Sequence, residues 1–201
     1  MTAILTPRTL ADTLPIGRVR VPVLVLGGAV LTALAAQVSI PLGFTPVPLT
    51  GQTFAVLLVA AALGTRLSVA GQALYWAMGA VGLPFYAGGR GGWSDATGST
   101  LGYFIGFLLA SAFVGHLAER GQDRKFSTSI TAMLAGTAII YACGVSWLSI
   151  HLDVPFYAGD GKDAFTYGLA PFIPGDLLKM LLAAGLTPAM WGVVSRFSAR
   201  G

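Results

Sequence analysis

Between residues 171 and 194 the sequence carries one acid and one base, Asp176 and Lys179, in an otherwise uncharged and mostly apolar run. A run of that length reaches roughly 36 Å as a helix, enough to cross a bilayer. Positions i and i+3 share one helix face, so the two ionisable groups form one site. An ionised side chain at membrane depth costs roughly 2.5 to 3.5 kcal/mol on insertion scales, so it faces a protein interior and marks a functional path. A helix of this kind must therefore be one member of a bundle, with its charged face turned inward. The rest of the chain supplies the partners. It is 55% hydrophobic and only 10% charged, against about 25% charged residues in soluble domains. The fold class is an all-α membrane protein.

Two hundred residues make a single domain and leave no room for a nucleotide-binding domain of about 100 to 200 residues, so any ATP-driven motor is a separate chain. The net charge of +4 sits in short loops. It forms no patch interleaved with aromatics, which argues against a nucleic-acid partner and makes the basic residues topology signals facing lipid. The single cysteine, Cys143, lies in an apolar run, so no disulfide framework or thiolate cluster is available and it reads as a packing residue.

Six transmembrane helices are legible. Residues 1–20 form an N-terminal tail without helical periodicity, mobile or interfacial, and residues 21–195 form the bundle. Arg18 and Arg20 before an apolar run, with Ala33-Leu34-Ala35 beyond, resemble a cleaved signal. The run 21–40 nevertheless reaches about 30 Å, so it counts as the first helix. Its Ala29 and Ala33 make a small-xxx-small face, which on its own reads as packing inside the bundle. A proline-containing loop over 41–51 leads to a short helix over 52–63. A third helix over 67–82 carries Gln72, Tyr75, Trp76 and Gly79 on one stripe, a spacing that favours packing over ligand contact. The segment 83–98 holds Phe85, Tyr86, Trp93 and many glycines. It matches no phosphate-binding fingerprint and reads either as an interfacial belt or as a gate over a pocket. The fourth helix, 101–118, has Gly102, Gly106 and Ala110 on a close-packing face. The fifth covers 130–150 and the sixth 171–194.

Lysine and arginine counts orient the bundle. Arg8, Arg18, Arg20, Arg66, Arg120, Arg124, Lys125, Arg196 and Arg200 fall on one side; Arg90 and Lys162 fall on the other. Both termini are then cytoplasmic, and Asp176 and Lys179 lie in the outer half of their helix, near the loops 41–51, 83–98 and 151–170. That convergence describes a capture site open to the outside. Catalysis fits less well. His116 and His151 lie at opposite helix ends, no HExxH, GxSxG or CxxC occurs, and every other acid is in a loop or tail, so no second carboxylate shares the depth of Asp176. The pair suits a small amide-plus-carboxylate or zwitterionic ligand. The plain alternative is an ion pair that only ties helices together.

Pro48-Leu49-Thr50-Gly51-Gln52-Thr53, Gly64-Thr65-Arg66-Leu67, Gly79-Ala80-Val81-Gly82-Leu83-Pro84-Phe85, Gly102-Tyr103 and Pro174-Gly175-Asp176-Leu177-Leu178-Lys179 follow one another in an order that resembles the BioY family. These are biotin-specific substrate-capture (S) subunits of energy-coupling-factor (ECF) transporters. The resemblance spans roughly residues 22–194. It implies a bundle of six transmembrane helices in a bacterial inner membrane that captures biotin from the outside, without enzymatic activity or a cofactor, energised by a transmembrane coupling subunit and two ATPase subunits. It also implies that Asp176 and Lys179 contact biotin and that Ala29 and Ala33 meet the coupling subunit. On physical grounds Tyr86, Trp93, and Tyr75 or Trp76 suit the ligand's rings, and the candidate substrate-binding set is completed by Gln52, Tyr75, Tyr86 and Trp93. Ser99 and Leu101 stand where the family has proline and glycine, and Thr65 where proline is common. The other readings are an S-type subunit for a different small vitamin, an intramembrane enzyme and a non-transporting scaffold.

Overall fold

The computed structural model describes residues 8–14 and 17–198; Arg200 and the first seven residues of the expected tail lie outside it. The described chain is built from helices. Five stretches are long and apolar enough to cross a membrane: α1 (Arg20–Gln37), α2 (Gln52–Ala80), α4 (Leu101–Glu119), α5 (Phe126–Leu152), and a run formed by short α6 (Ala164–Gly168) followed by α7 (Ile173–Ser198). A further short helix, α3 (Trp93–Ala96), lies between α2 and α4.

The second of these is a hairpin. At Gly64 the backbone leaves the helix (φ 77°, ψ −179°), a conformation open to glycine because it has no Cβ. Gln52 Nε2 donates to Tyr75 Oη at 2.6 Å across 23 residues. A continuous helix would hold those residues about 34 Å apart. The two arms therefore run antiparallel, and the break falls at the glycine that opens the expected 64–66 boundary. The turn is fixed from α4: the Glu119 carboxylate accepts from Thr65 N at 2.7 Å, capping the second arm. Gly115 lies so close that a Cβ there would sit 2.6 Å from Gly64.

α4 is the most enclosed long helix and α7 the least. The Gly102, Gly106 and Ala110 stripe of α4 meets α5, with the two glycines admitting Trp147 and the Ile140 backbone. Gly144 returns the favour by admitting the Tyr103 ring. α1 packs on both arms of the α2 hairpin: Gly28 lies against Val59 and Leu63 of the first arm, and Gly71 of the second arm lies against the α1 backbone at Val25, Gly28 and Ala29. Ala29 and Ala33 are both buried against the chain's own helices. Their small side chains are packed within the bundle, Ala29 completely and Ala33 with 7% of its surface exposed.

Three loops are more ordered than their sequence suggests. The proline loop is closed by a two-residue antiparallel ladder, β1 (Ser39–Ile40) with β2 (Leu49–Thr50), pairing Ser39 with Thr50 and Ile40 with Leu49. The segment 151–170 contains α6, capped by Asp163, whose carboxylate accepts from Thr166 N at 2.7 Å. In the N-terminal tail, Leu10–Thr13 form a 3₁₀ turn that buries Leu10 and Ala11, and Asp12 pairs with Arg20. Chain direction then sorts the ends. The start and finish of the α2 hairpin, the start of α4, the end of α5 and the start of α7 share one end of the bundle. The Gly64 turn, Arg66, Arg120, Arg124, Lys125 and Arg196 share the other.

Candidate functional site

At the first of those ends the helices enclose a cavity with a mouth open to one side. Its polar floor is the Asp176 and Lys179 pair. Asp176 sits in the first turn of α7, where the helix dipole favours an anion, and it is almost fully buried. Its Oδ1 accepts from Lys179 Nζ at 2.7 Å and from Thr53 Oγ1 at 3.2 Å, and its Oδ2 accepts from the Tyr141 hydroxyl. Lys179 Nζ also donates to the Thr50 carbonyl at 2.5 Å. The i, i+3 spacing read from sequence thus becomes one bonded pair, reached from three elements: β2, the first arm of α2, and α5.

The walls are aromatic. Tyr103, Phe104 and Phe107 of α4, Tyr86 after α2, and Phe172 before α7 line the space. Tyr86 stacks on Phe104 at 4.9 Å between ring centres. Gly79 makes that possible, since a Cβ there would lie 2.2 Å from the Tyr86 ring. A second ion pair lines the cavity, Arg90 with Asp95 at 3.7 Å; Arg90 is half exposed and also donates from Nε to the Ala87 carbonyl at 3.2 Å.

Of the six candidate ligand residues, Asp176, Lys179, Gln52 and Tyr86 line this cavity. Tyr75 does not. It stands fully buried behind Gln52, accepting the Gln52 amide hydrogen, in a cluster with Phe85, Tyr86 and Phe104. Trp93 is 66% exposed and packs edge-on against Trp76 at 6.0 Å. Sequence reasoning missed Thr53, Arg90, Asp95, Tyr103, Phe104, Phe107, Tyr141 and Phe172. In sequence Arg90 reads as a topology signal, while Tyr103 and Tyr141 are hydroxyl-bearing rings inside apolar helices, the one hint they offer. Among the described residues no group of three or more His, Cys, Asp or Glu could hold a metal. His151 is stacked on Trp147.

Apolar helices closing on a cavity with aromatic walls and a charged floor define a membrane-embedded small-molecule-binding bundle. The chain belongs to the BioY family, whose model matches residues 7–196. It is 40% identical over 154 residues to a protein of Thermotoga maritima named "Biotin transporter BioY", a match covering 77% of this chain and 85% of that one. It is 39% identical over 162 residues to the protein of the same name from Rhodobacter capsulatus (78% and 85%), and 33% identical over 172 residues to that from Rhizobium etli (82% and 89%). In fold it is similar to a crystal structure described as the S-component for biotin from an ECF-type ABC transporter, with a TM-score of 0.75 at 22% identity over 89% of this chain and 94% of that one.

Proposed function

We propose that this chain captures biotin at the outer face of a bacterial inner membrane, for uptake driven by a separate coupling subunit and two ATPase subunits. The observation that carries the reading is the cavity floored by Asp176 and Lys179, in a chain whose relatives are named biotin transporters. With each arm of the α2 hairpin counted as a crossing, residues 21–195 make six, and residues 1–20 are a cytoplasmic tail. Both termini are then cytoplasmic, because the basic ends of the helices lie opposite the cavity.

Hydrogen-bond capacity assigns the two ends of the ligand. Lys179 has three donors and uses two, on Asp176 and Thr50. Asp176 accepts from Lys179, Thr53 and Tyr141 and keeps one lone pair. The pair thus offers one donor beside one acceptor, the complement of an N–H beside a carbonyl, which is the edge of biotin's cyclic urea. A ligand carboxylate placed there would face Asp176 as a like charge in a low dielectric. At the mouth it meets Arg90 instead, whose link to Asp95 is long and half exposed. The aromatic walls take the fused rings and the aliphatic chain between. Cells expressing the chain with its coupling module should accumulate tritiated biotin, and Asp176→Asn should abolish this; uptake that is absent, or indifferent to Asp176→Asn, refutes the proposal.

A further inference from the structure

Asp176 stands in a wall one side chain thick. On its inner side is the ligand cavity. On its outer side is a wholly different space, an apolar groove between α5 and α7 lined by residues such as Leu134, Ala138, Phe165, Leu177 and Met180. Tyr141 and Asp176 are the two residues that border both spaces. In a membrane this groove faces hydrocarbon, where an ionised carboxylate oxygen without a donor is costly. Tyr141 resolves this. Its ring is held by Tyr103 edge-on at 6.2 Å and by Phe172 at 6.5 Å, and its hydroxyl donates to Asp176 Oδ2. Thr53 and Lys179, the other donors, both reach Oδ1, so among these three side chains Tyr141 alone satisfies the second oxygen.

We infer that Tyr141 is a positioning residue for ligand recognition, one that pins the Asp176 carboxylate so that its remaining lone pair points into the cavity and meets a ring N–H of the ligand. This deepens the biotin reading and rests on it. A phenylalanine at 141 would seal the wall as well as tyrosine does, so the hydroxyl can be removed without opening the groove. What is lost is orientation, and the loss is felt by the ligand hydrogen that Asp176 accepts.

The test is a cycle in which protein and ligand are both changed. Native protein and Tyr141→Phe, purified in detergent, are titrated with biotin and with its two ring carbamates, in which oxygen replaces one or the other N–H. In the native protein one carbamate should bind about 10- to 100-fold more weakly than biotin, the worth of a hydrogen bond to a charged group. In Tyr141→Phe biotin should weaken by about tenfold, and the penalty for that same carbamate should shrink to a few-fold. A penalty of equal size in both proteins overturns the inference, since a merely structural tyrosine lowers all affinities together. If native protein does not bind biotin, it is the proposed function that fails. Should Tyr141→Phe melt before titration, 3-fluorotyrosine at 141 replaces it, keeping ring and hydroxyl and changing only the donor's acidity. A shift of about twofold or more in biotin affinity then supports the role, and none refutes it.

Discussion

Replacing Lys179 with methionine separates what the ion pair does for stability from what it does for the ligand. Methionine keeps most of the side-chain volume and removes the charge. In the native protein the pair closes at 2.7 Å, with the Asp176 side chain 6% exposed and that of Lys179 19%, so solvent screens it little. Breaking a buried pair by deleting one partner costs about 3 to 5 kcal/mol, because the other charge stays buried without its counter-ion. Asp176 keeps Tyr141 and Thr53 as donors, which places Lys179→Met near the lower figure. At about 2 to 4 °C per kcal/mol for chains of 150 to 250 residues, that is a fall of about 6 to 12 °C in melting temperature. The double variant Asp176→Asn/Lys179→Met removes both charges and should regain most of that loss. Neither variant should bind biotin. Tryptophan fluorescence melts in detergent, each paired with a biotin titration, give both readouts. A Lys179→Met protein that melts like the native one, or a double variant as unstable as the single, would show that the pair is not desolvated and that its placement at the cavity floor is wrong.

Arg90→Gln should weaken biotin by about tenfold while leaving biotin methylamide, which has no carboxylate, unchanged; equal effects on both ligands would reverse the assigned orientation. Gly102→Ala puts a Cβ 2.3 Å from Trp147 Cβ and 2.5 Å from the Cys143 carbonyl, so α4 and α5 must separate. The expected cost is about 1 to 3 kcal/mol, read as a lower melting temperature. Backbone amides of Ala158, Thr166 and Gly159 hold the Asp163 carboxyl down at about 2, below its ordinary value of 3.8. A depressed carboxyl stabilises the fold above its unfolded-state value, so this contribution is complete above about pH 5 and is lost progressively as pH falls through 3.8 towards 2. Melting temperatures followed between pH 6 and pH 3 should show that loss, and Asp163→Asn should flatten it.

The helices were legible because apolar runs of spanning length, broken by Gly64 and by charged turns, leave little choice of fold. The Asp176 and Lys179 site was legible for the same reason: two charges in apolar sequence have to face something polar. What sequence could not supply was register between helices. Tyr141 and Asp176 are 35 residues apart and meet only because α5 and α7 cross at that height. Thr50 and Lys179 meet across 129 residues through a backbone carbonyl, which no side-chain pattern reveals. Tyr75 and Trp93 were drawn into the candidate site by their ring chemistry. Packing decided otherwise: Tyr75 went into the core behind Gln52, and Trp93 to the surface. The Ala29 and Ala33 face shows the converse. Small-residue spacing announces a close helix contact without saying whether the partner is this chain or another, and in the structure both alanines are buried within this chain.

Calorimetric titration of the detergent-purified protein with biotin tests the central claim most directly. One biotin should bind per chain, with binding lost in Asp176→Asn although that variant still melts cooperatively. A native protein that gives no saturable heat, or an Asp176→Asn protein that binds as the native one does, would contradict it.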